Sequence, residues 1–236
     1  MQKLFILLSL LLAASCGDDG HAPRIAAALG DAELDGVEYA PLHGSLRPGG
    51  YMQAVPVEAG YDIPDDGVNV VRLLFTSAEG YTEEWSLLLF PGERLRIGGL
   101  LHDDEGNAEL EIRGSELYEA MERENAPFGP QIRRLTTLNR IVEGGGGGPE
   151  EQQQLELDSL TAWNHAYRIE RIRNHPESPA TAAYLYEMAL ETGCDSLFRS
   201  LWAGLPAGVS EGRYKPLFDL MRPAEAGETT TKNTTL

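Results

Sequence analysis

The sequence predicts an α+β protein, with an N-terminal antiparallel β-sandwich or open barrel followed by a C-terminal helical domain. Three observations carry that prediction. Between about Ile25 and Arg113 short apolar runs alternate with turn residues, and after Gly114 the apolar spacing lengthens to a helical period. No long helical pattern lies between the strand-like runs, which disfavours a parallel sheet built from βαβ units. Of the 236 residues 42% are hydrophobic, with 26 glycines, 14 prolines and two cysteines. That composition can build a core, and it excludes a collagen-like chain, a disulfide-stapled miniprotein and a wholly disordered polymer.

The first element is a leader. Lys3 precedes an apolar stretch from Leu4 to Ala14 that is broken only by Ser9. As a helix that stretch would span roughly 17 Å, too short for a hydrocarbon core of about 30 Å. Ala13, Ala14 and Ser15 before Cys16 resemble the lipobox of bacterial lipoproteins, in which the cysteine sulfur takes a diacylglycerol and becomes the first residue after cleavage. The leucine usual three places before the cysteine is Ala13 here, with Leu12 one place earlier. The other reading is a secretory peptide cut near Ala14, leaving Cys16 as a free thiol. Residues 1–15 are thus expected as the signal peptide, Cys16 as the lipidation site, and 16–24 as a polar tether. The pair Asp18-Asp19 resembles the surface-export signals of some Gram-negative lipoproteins, and it equally suits any solvated linker.

The β-rich part is assigned to 25–113. Turns are marked by Pro48-Gly49-Gly50, Pro64-Asp65-Asp66-Gly67, Ala78-Glu79-Gly80, Pro91-Gly92 and Glu105-Gly106-Asn107. Between them Val68 to Phe75, Trp85 to Phe90, Leu95 to Ile97 and Leu110 to Ile112 read as strands. Polar and apolar residues alternate over 93–97 and 109–113, as expected for sheets with one face in water.

The helical part is assigned to 114–222. Ser115 is expected to cap a helix through Glu124, and a second runs from Gln131 to Val142. The glycine run 144–148 reads as an interhelix linker, because no GK[ST] follows it as a phosphate loop requires. Pro149 and Glu150-Glu151 open a long helix to about Asn174. Leu160, Trp163 and Tyr167 share one of its faces, near Leu157, Ile169 and Ile172, as core packing rather than a ligand box. Ser178 and Pro179 start another helix, with Tyr184, Leu185, Met188 and Ala189 on its apolar face and Gly193 beyond its end. Short helices follow at Leu197 to Trp202 and Tyr214 to Met221. The tail 223–236 is expected to be disordered.

This order of parts carries a resemblance. The Pro91-Gly92-Glu93 turn enters a strand with Ile97-Gly98-Gly99; Ile112-Arg113-Gly114-Ser115 precedes the first helix; and Asn174-His175-Pro176-Glu177-Ser178 separates two helices, with His175 inserted. Over roughly 24–221 the chain resembles the domain of unknown function that precedes the thioredoxin fold in TlpA-like thiol-disulfide lipoproteins of Gram-negative bacteria. The sequence has no Cys-x-x-Cys and ends where a thioredoxin domain is expected, so the family's redox activity is carried to no residue here.

Chemistry-bearing residues are sparse. Cys194 sits beside Asp195, whose charge raises a thiol pKa, so it reads as an unreactive thiol. The histidines show no zinc-protease spacing, and His102 beside Asp103-Asp104 is the nearest approach to a metal pair. Asp103, Glu105, Asn107 and Glu109 alternate as in a cation loop, but Gly106 is misplaced for an EF-hand. The pairs Asp65-Asp66 and Glu83-Glu84 read as solvated charge. No catalytic residue, cofactor or metal is therefore assigned. A net charge of −18 opposes a phosphate backbone, so nucleic acid is not an expected partner. The expectation is a cell-envelope lipoprotein, on the periplasmic or surface face of the outer membrane. It would act without catalysis as a binding or accessory module, with the membrane and an envelope protein as partners. The alternatives are a redox accessory working in trans with a thioredoxin-fold protein, and an envelope hydrolase.

Overall fold

Strand-forming residues dominate the first half of the chain, and the computed structural model builds nine strands there among the residues it describes: 23–78, 80, 82–102, 109–143 and 151–223. The leader with Cys16, the positions 103–107, the glycine run with Pro149, and the tail from 224 lie outside the described residues. One sheet has the order β4 (Val55–Val57), β5 (Gly60–Asp62), β1 (Ile25–Ala27), β8 (Leu95–Leu100), β9 (Glu109–Arg113). The other runs β3 (Met52–Gln53), β2 (Ala32–Pro41), β6 (Asn69–Ser77), β7 (Thr82–Leu89). They pack as an open sandwich, not a closed barrel. The expected antiparallel arrangement holds except at β1 and β8, which pair in parallel with Ile25 opposite Leu95. Because β1 is only three residues long and enters from the N-terminal segment, it slots beside β8 without any crossover helix.

The second sheet is a middle layer. Side chains on a strand alternate between faces, so Val71, Leu73 and Phe75 of β6, with Leu87 and Leu89 of β7, meet Ile25, Leu95 and Ile97 of the first sheet. Val70 and Leu88, on the opposite face, meet the helices together with Leu42, Val68 and Phe90. Burial on both faces explains why 68–75, broken only by Asn69 and Arg72, is too apolar to alternate strictly.

The helices are α1 (Glu116–Asn125), α2 (Gly129–Glu143), α3 (Glu151–Asn174), α4 (Ala180–Thr192), α5 (Ser196–Ala203), α6 (Ala207–Ser210) and α7 (Lys215–Met221), with a 3-10 turn Ala126–Phe128 joining α1 to α2. The axis of this half is α4. Every residue from Ala180 to Tyr186 is buried, as are Met188 and Ala189, so the helix is covered nearly all round rather than on one face. Its alanines let α1, α3, α5 and α7 approach closely. The N-terminal half of α3 lies against α2 through a separate small cluster of Leu135, Leu138, Leu157 and Leu160.

Three sequence expectations are corrected by polar contacts. Composition extends the tether to residue 24, but Pro23 and Arg24 are buried. The Arg24 guanidinium donates to the carbonyls of Glu93, Phe90 and Pro64 and pairs with Asp65 at 3.0 Å, so the folded part starts two residues early. Ser115 begins α1 but makes no side-chain cap; its hydroxyl donates to the buried Glu93 carboxylate at 2.8 Å. Ser178, by contrast, accepts from the Ala180 N–H, as a capping residue should, and also donates to Glu124. Third, Asp195 is more than a charge near a thiol. Its carboxylate caps α5 by accepting from the Phe198 N–H at 2.8 Å.

Two motifs of the family resemblance thus meet in space. The Pro91-Gly92-Glu93 turn aims its carboxylate at Ser115, while Gly114 takes φ +87° with the Arg94 carbonyl so near that a Cβ would lie 2.1 Å from it. Only glycine fits that corner. The other Glu93 oxygen accepts from the Phe90 N–H at 3.1 Å, while Arg213 approaches the oxygen bonded to Ser115 to 3.9 Å.

Desolvation raises the Glu93 pKa above its ordinary 4.5, against the lowering effect of these hydrogen bonds and the nearby arginines. The folded state therefore holds a proton more tightly than the unfolded state at this site, and its contribution to stability falls as pH rises from 4.5 through the raised value. Urea titrations across that range should show wild type losing stability relative to Glu93→Gln, then levelling off. Wild type gaining stability relative to Glu93→Gln as pH rises would contradict the assignment. At neutral pH, Glu93→Ala should cost about 2–4 kcal/mol, because the buried Phe90 N–H and Ser115 hydroxyl both lose their acceptor.

Candidate functional site: an apolar cleft between sheet edges and helices

Where the outer edges of the two sheets meet the helices, the packing leaves a cleft of about 580 Å3. The volume lies within the range of about 300–1,000 Å3 typical of small-molecule sites. The sheets supply Trp85, Leu87 and Leu88 from β7, Leu110 and Ile112 from β9, and Val70 from β6. The helices supply Tyr118 and Met121 from α1, Ile132, Arg133 and Thr136 from α2, and Ala183, Tyr186, Glu187 and Leu190 from α4. Pro48 and Tyr51, from the connection between β2 and β3, complete the rim.

Local chemistry keeps the wall apolar. β7 is an edge strand, and an edge offers unpaired backbone groups to any passing strand. The Tyr118 hydroxyl accepts from the Leu88 N–H at 2.6 Å and donates to the Leu88 carbonyl at 3.1 Å, filling one such position. Burial drives the Tyr118 pKa far above its ordinary value, so the phenol stays protonated and can serve both roles. Tyr186 turns its hydroxyl away to the Leu46 carbonyl at 2.9 Å, its pKa pushed up by burial to about 12. Tyr51 lies under the Arg72 guanidinium, 3.9 Å from the ring centroid.

Among the described residues, two charged side chains line this cleft. Glu187 has burial as the main cause of a raised pKa, opposed by Arg168, which donates to it at 3.1 Å. Its side chain is still 44% accessible, because the space it faces is the cleft itself. Arg168 is 4% exposed on its side chain and also grips Glu191 with two contacts of 2.8 Å. Glu187 is thus a compensated carboxylate. Arg133 is different: among the described residues no carboxylate lies within ion-pair distance of its guanidinium, whereas the adjacent Arg134, pointing the other way round α2, is clamped to Glu156 at 2.6 Å.

The residues singled out in the sequence lie elsewhere. Trp163 and Tyr167 stack at 5.4 Å with Phe128 against them, so the aromatic stripe of α3 is core packing, as expected. His102 approaches Glu83 at 2.6 Å, and its backbone N–H and that of Leu101 donate to Asp31. Its expected neighbours Asp103 and Asp104 lie outside the described residues. Among those described, no group of three or more His, Cys, Asp or Glu is placed to hold a metal ion. The acid pairs are split: Glu84 is paired with Arg72 while Glu83 meets His102, and Asp65 serves Arg24 and the Gly92 N–H. A larger, shallower hollow of about 770 Å3 lies by β1 and β5, lined largely by small residues such as Ala26, Ala27 and Ala28.

Comparison with family models, with curated proteins and with solved structures finds no match for this chain. The TlpA-like resemblance therefore stands on its short motifs. Sequence reasoning had no access to the cleft, because Arg133 and Arg134 look equivalent until the helix assigns them to different faces.

Cys194 is half-buried at the turn between α4 and α5, with its sulfur 3.6 Å from the Met221 carbonyl. Burial is the main cause of its raised pKa, ahead of Asp195, while Arg199 pulls the other way. Iodoacetamide should label Cys194 slowly at neutral pH in the folded protein and quickly in urea. Equally rapid labelling in both states, read by mass spectrometry, would contradict this environment.

Proposed function

We propose that this protein is a lipid-anchored component of the cell envelope that works without catalysis, binding a small apolar molecule in the cleft between β7, β9 and the helices. The observation that carries the reading is the cleft's chemistry. Aromatic and aliphatic side chains form most of its wall, the Tyr118 and Tyr186 hydroxyls are bonded to the backbone, and the one carboxylate among the described lining residues, Glu187, is held by Arg168. Such a surface favours transfer of apolar groups from water by about 25 cal/mol per Å2 and presents no nucleophile beside a base. The anchor rests on the lipobox at Cys16, and no helix among the described residues is long and apolar enough to cross a membrane. Two or three acyl chains would supply stable attachment to the outer membrane.

Each half of the proposal has its own test. Cys16→Ser should abolish incorporation of radiolabelled palmitate and release the protein from the membrane fraction, and globomycin should cause the unprocessed form to accumulate. Unchanged processing and membrane retention would end the anchor reading. For the cleft, the neutral dye N-phenyl-1-naphthylamine should brighten on binding the full chain. Thr136→Trp, which places an indole in the cleft from α2, should suppress that signal while leaving the circular dichroism spectrum unchanged. A signal that survives the substitution would place the dye elsewhere.

A further inference from the structure

We infer that the ligand of this cleft is an anionic amphipath, a single alkyl chain ending in a carboxylate or phosphate monoester, and that Arg133 receives its head group. The inference rests on the cleft reading above and adds the chemistry of the ligand's polar end. In a chain with net charge −18, acidic partners for a cation are plentiful, and Arg24, Arg72, Arg113, Arg134 and Arg168 each have one within 3.5 Å. Arg133 is half-buried at the cleft wall and has none among the described residues. It is not coupled to Glu187 across the same cleft either, because Glu187 is taken by Arg168, which also holds Glu191. Among the described residues the cleft thus holds one compensated carboxylate and one uncompensated guanidinium, set in an apolar wall where water competes poorly.

A guanidinium presents a planar fork of N–H donors that matches a carboxylate or phosphate with two parallel hydrogen bonds. An uncharged alcohol can use one donor and leaves the charge unanswered, and a cationic head would be repelled. The alkyl chain would lie along Ile132, Met121, Leu88 and Ile112, which come from four of the elements that form the wall, α2, α1, β7 and β9. Burying a charged head in such surroundings is favourable only where an opposite charge waits for it, and Arg133 is the residue so placed.

The test uses the full chain carrying Cys16→Ser, so that its own acyl chains do not compete, and isothermal titration calorimetry with laurate, dodecyl phosphate and dodecanol below their micelle concentrations. At least one of the two anions should bind at a single site about tenfold more tightly than dodecanol. That advantage should vanish in Arg133→Gln and return in part in Arg133→Lys, while dodecanol binds wild type and Arg133→Gln alike. The tighter of laurate and dodecyl phosphate identifies the head group. Dodecanol binding as tightly as both anions, or an anion preference that survives Arg133→Gln, overturns the head-group inference and leaves the cleft reading standing. If none of the three binds wild type, or if Thr136→Trp fails to block them in a chain that still folds, both readings fall.

Discussion

The structure turns on one buried carboxylate. Glu93, fully buried at the end of a tight turn, accepts hydrogen bonds from the Phe90 N–H in the β-sandwich and from the Ser115 hydroxyl at the head of the first helix. Its own backbone carbonyl receives the Arg24 guanidinium, which also holds the Phe90 and Pro64 carbonyls. A buried charge is unfavourable unless its lone pairs are answered, and here each answer comes from a different part of the chain. Positions 24, 90, 93 and 115 are thereby fixed relative to one another, and with them the angle at which the helices leave the sheets.

That angle decides where the cleft lies. The middle sheet is buried on both faces, by the first sheet through Val71, Leu73 and Phe75 and by the helices through Val70 and Leu88. Held by Ser115 at its start and by the Tyr118 hydroxyl on β7, α1 cannot slide over the strand edge to fill the remaining space. α4, sheathed by neighbours, presents Ala183 to the cleft where a larger residue would close it. The cavity is therefore a consequence of a rigid joint, and a rigid apolar wall is the condition for binding without a large ordering cost.

Much of this architecture is legible in the sequence. The strands β6 to β9 and the helices α1 to α5 and α7 stand close to where apolar period, caps and turn residues place them, because those signals are local. The strands β1 to β5 leave no such individual signal. β1, β3, β4 and β5 have three residues or fewer and acquire strand geometry only from their partners. β2 alternates imperfectly because its register shifts between Leu34 and Gly36. Arg24 looks like tether because an arginine near a glycine-containing stretch reads as solvated, and four backbone carbonyls from two distant loops are invisible to local reasoning. The cleft is illegible for the same reason: its described lining comes from seven separate segments, and the isolation of Arg133 depends on where every nearby carboxylate goes.

Native-state hydrogen exchange on wild type and Glu93→Ala tests the joint most directly. If Glu93 couples the sandwich to the helices, its loss should lower protection in parallel across β8, the end of β7 and the whole of α1, although these segments lie on both sides of the substituted residue. If the increase in exchange stays within the turn at 90–93 and α1 keeps its wild-type protection, the two halves are held together without this carboxylate, and Glu93 is not the joint between them.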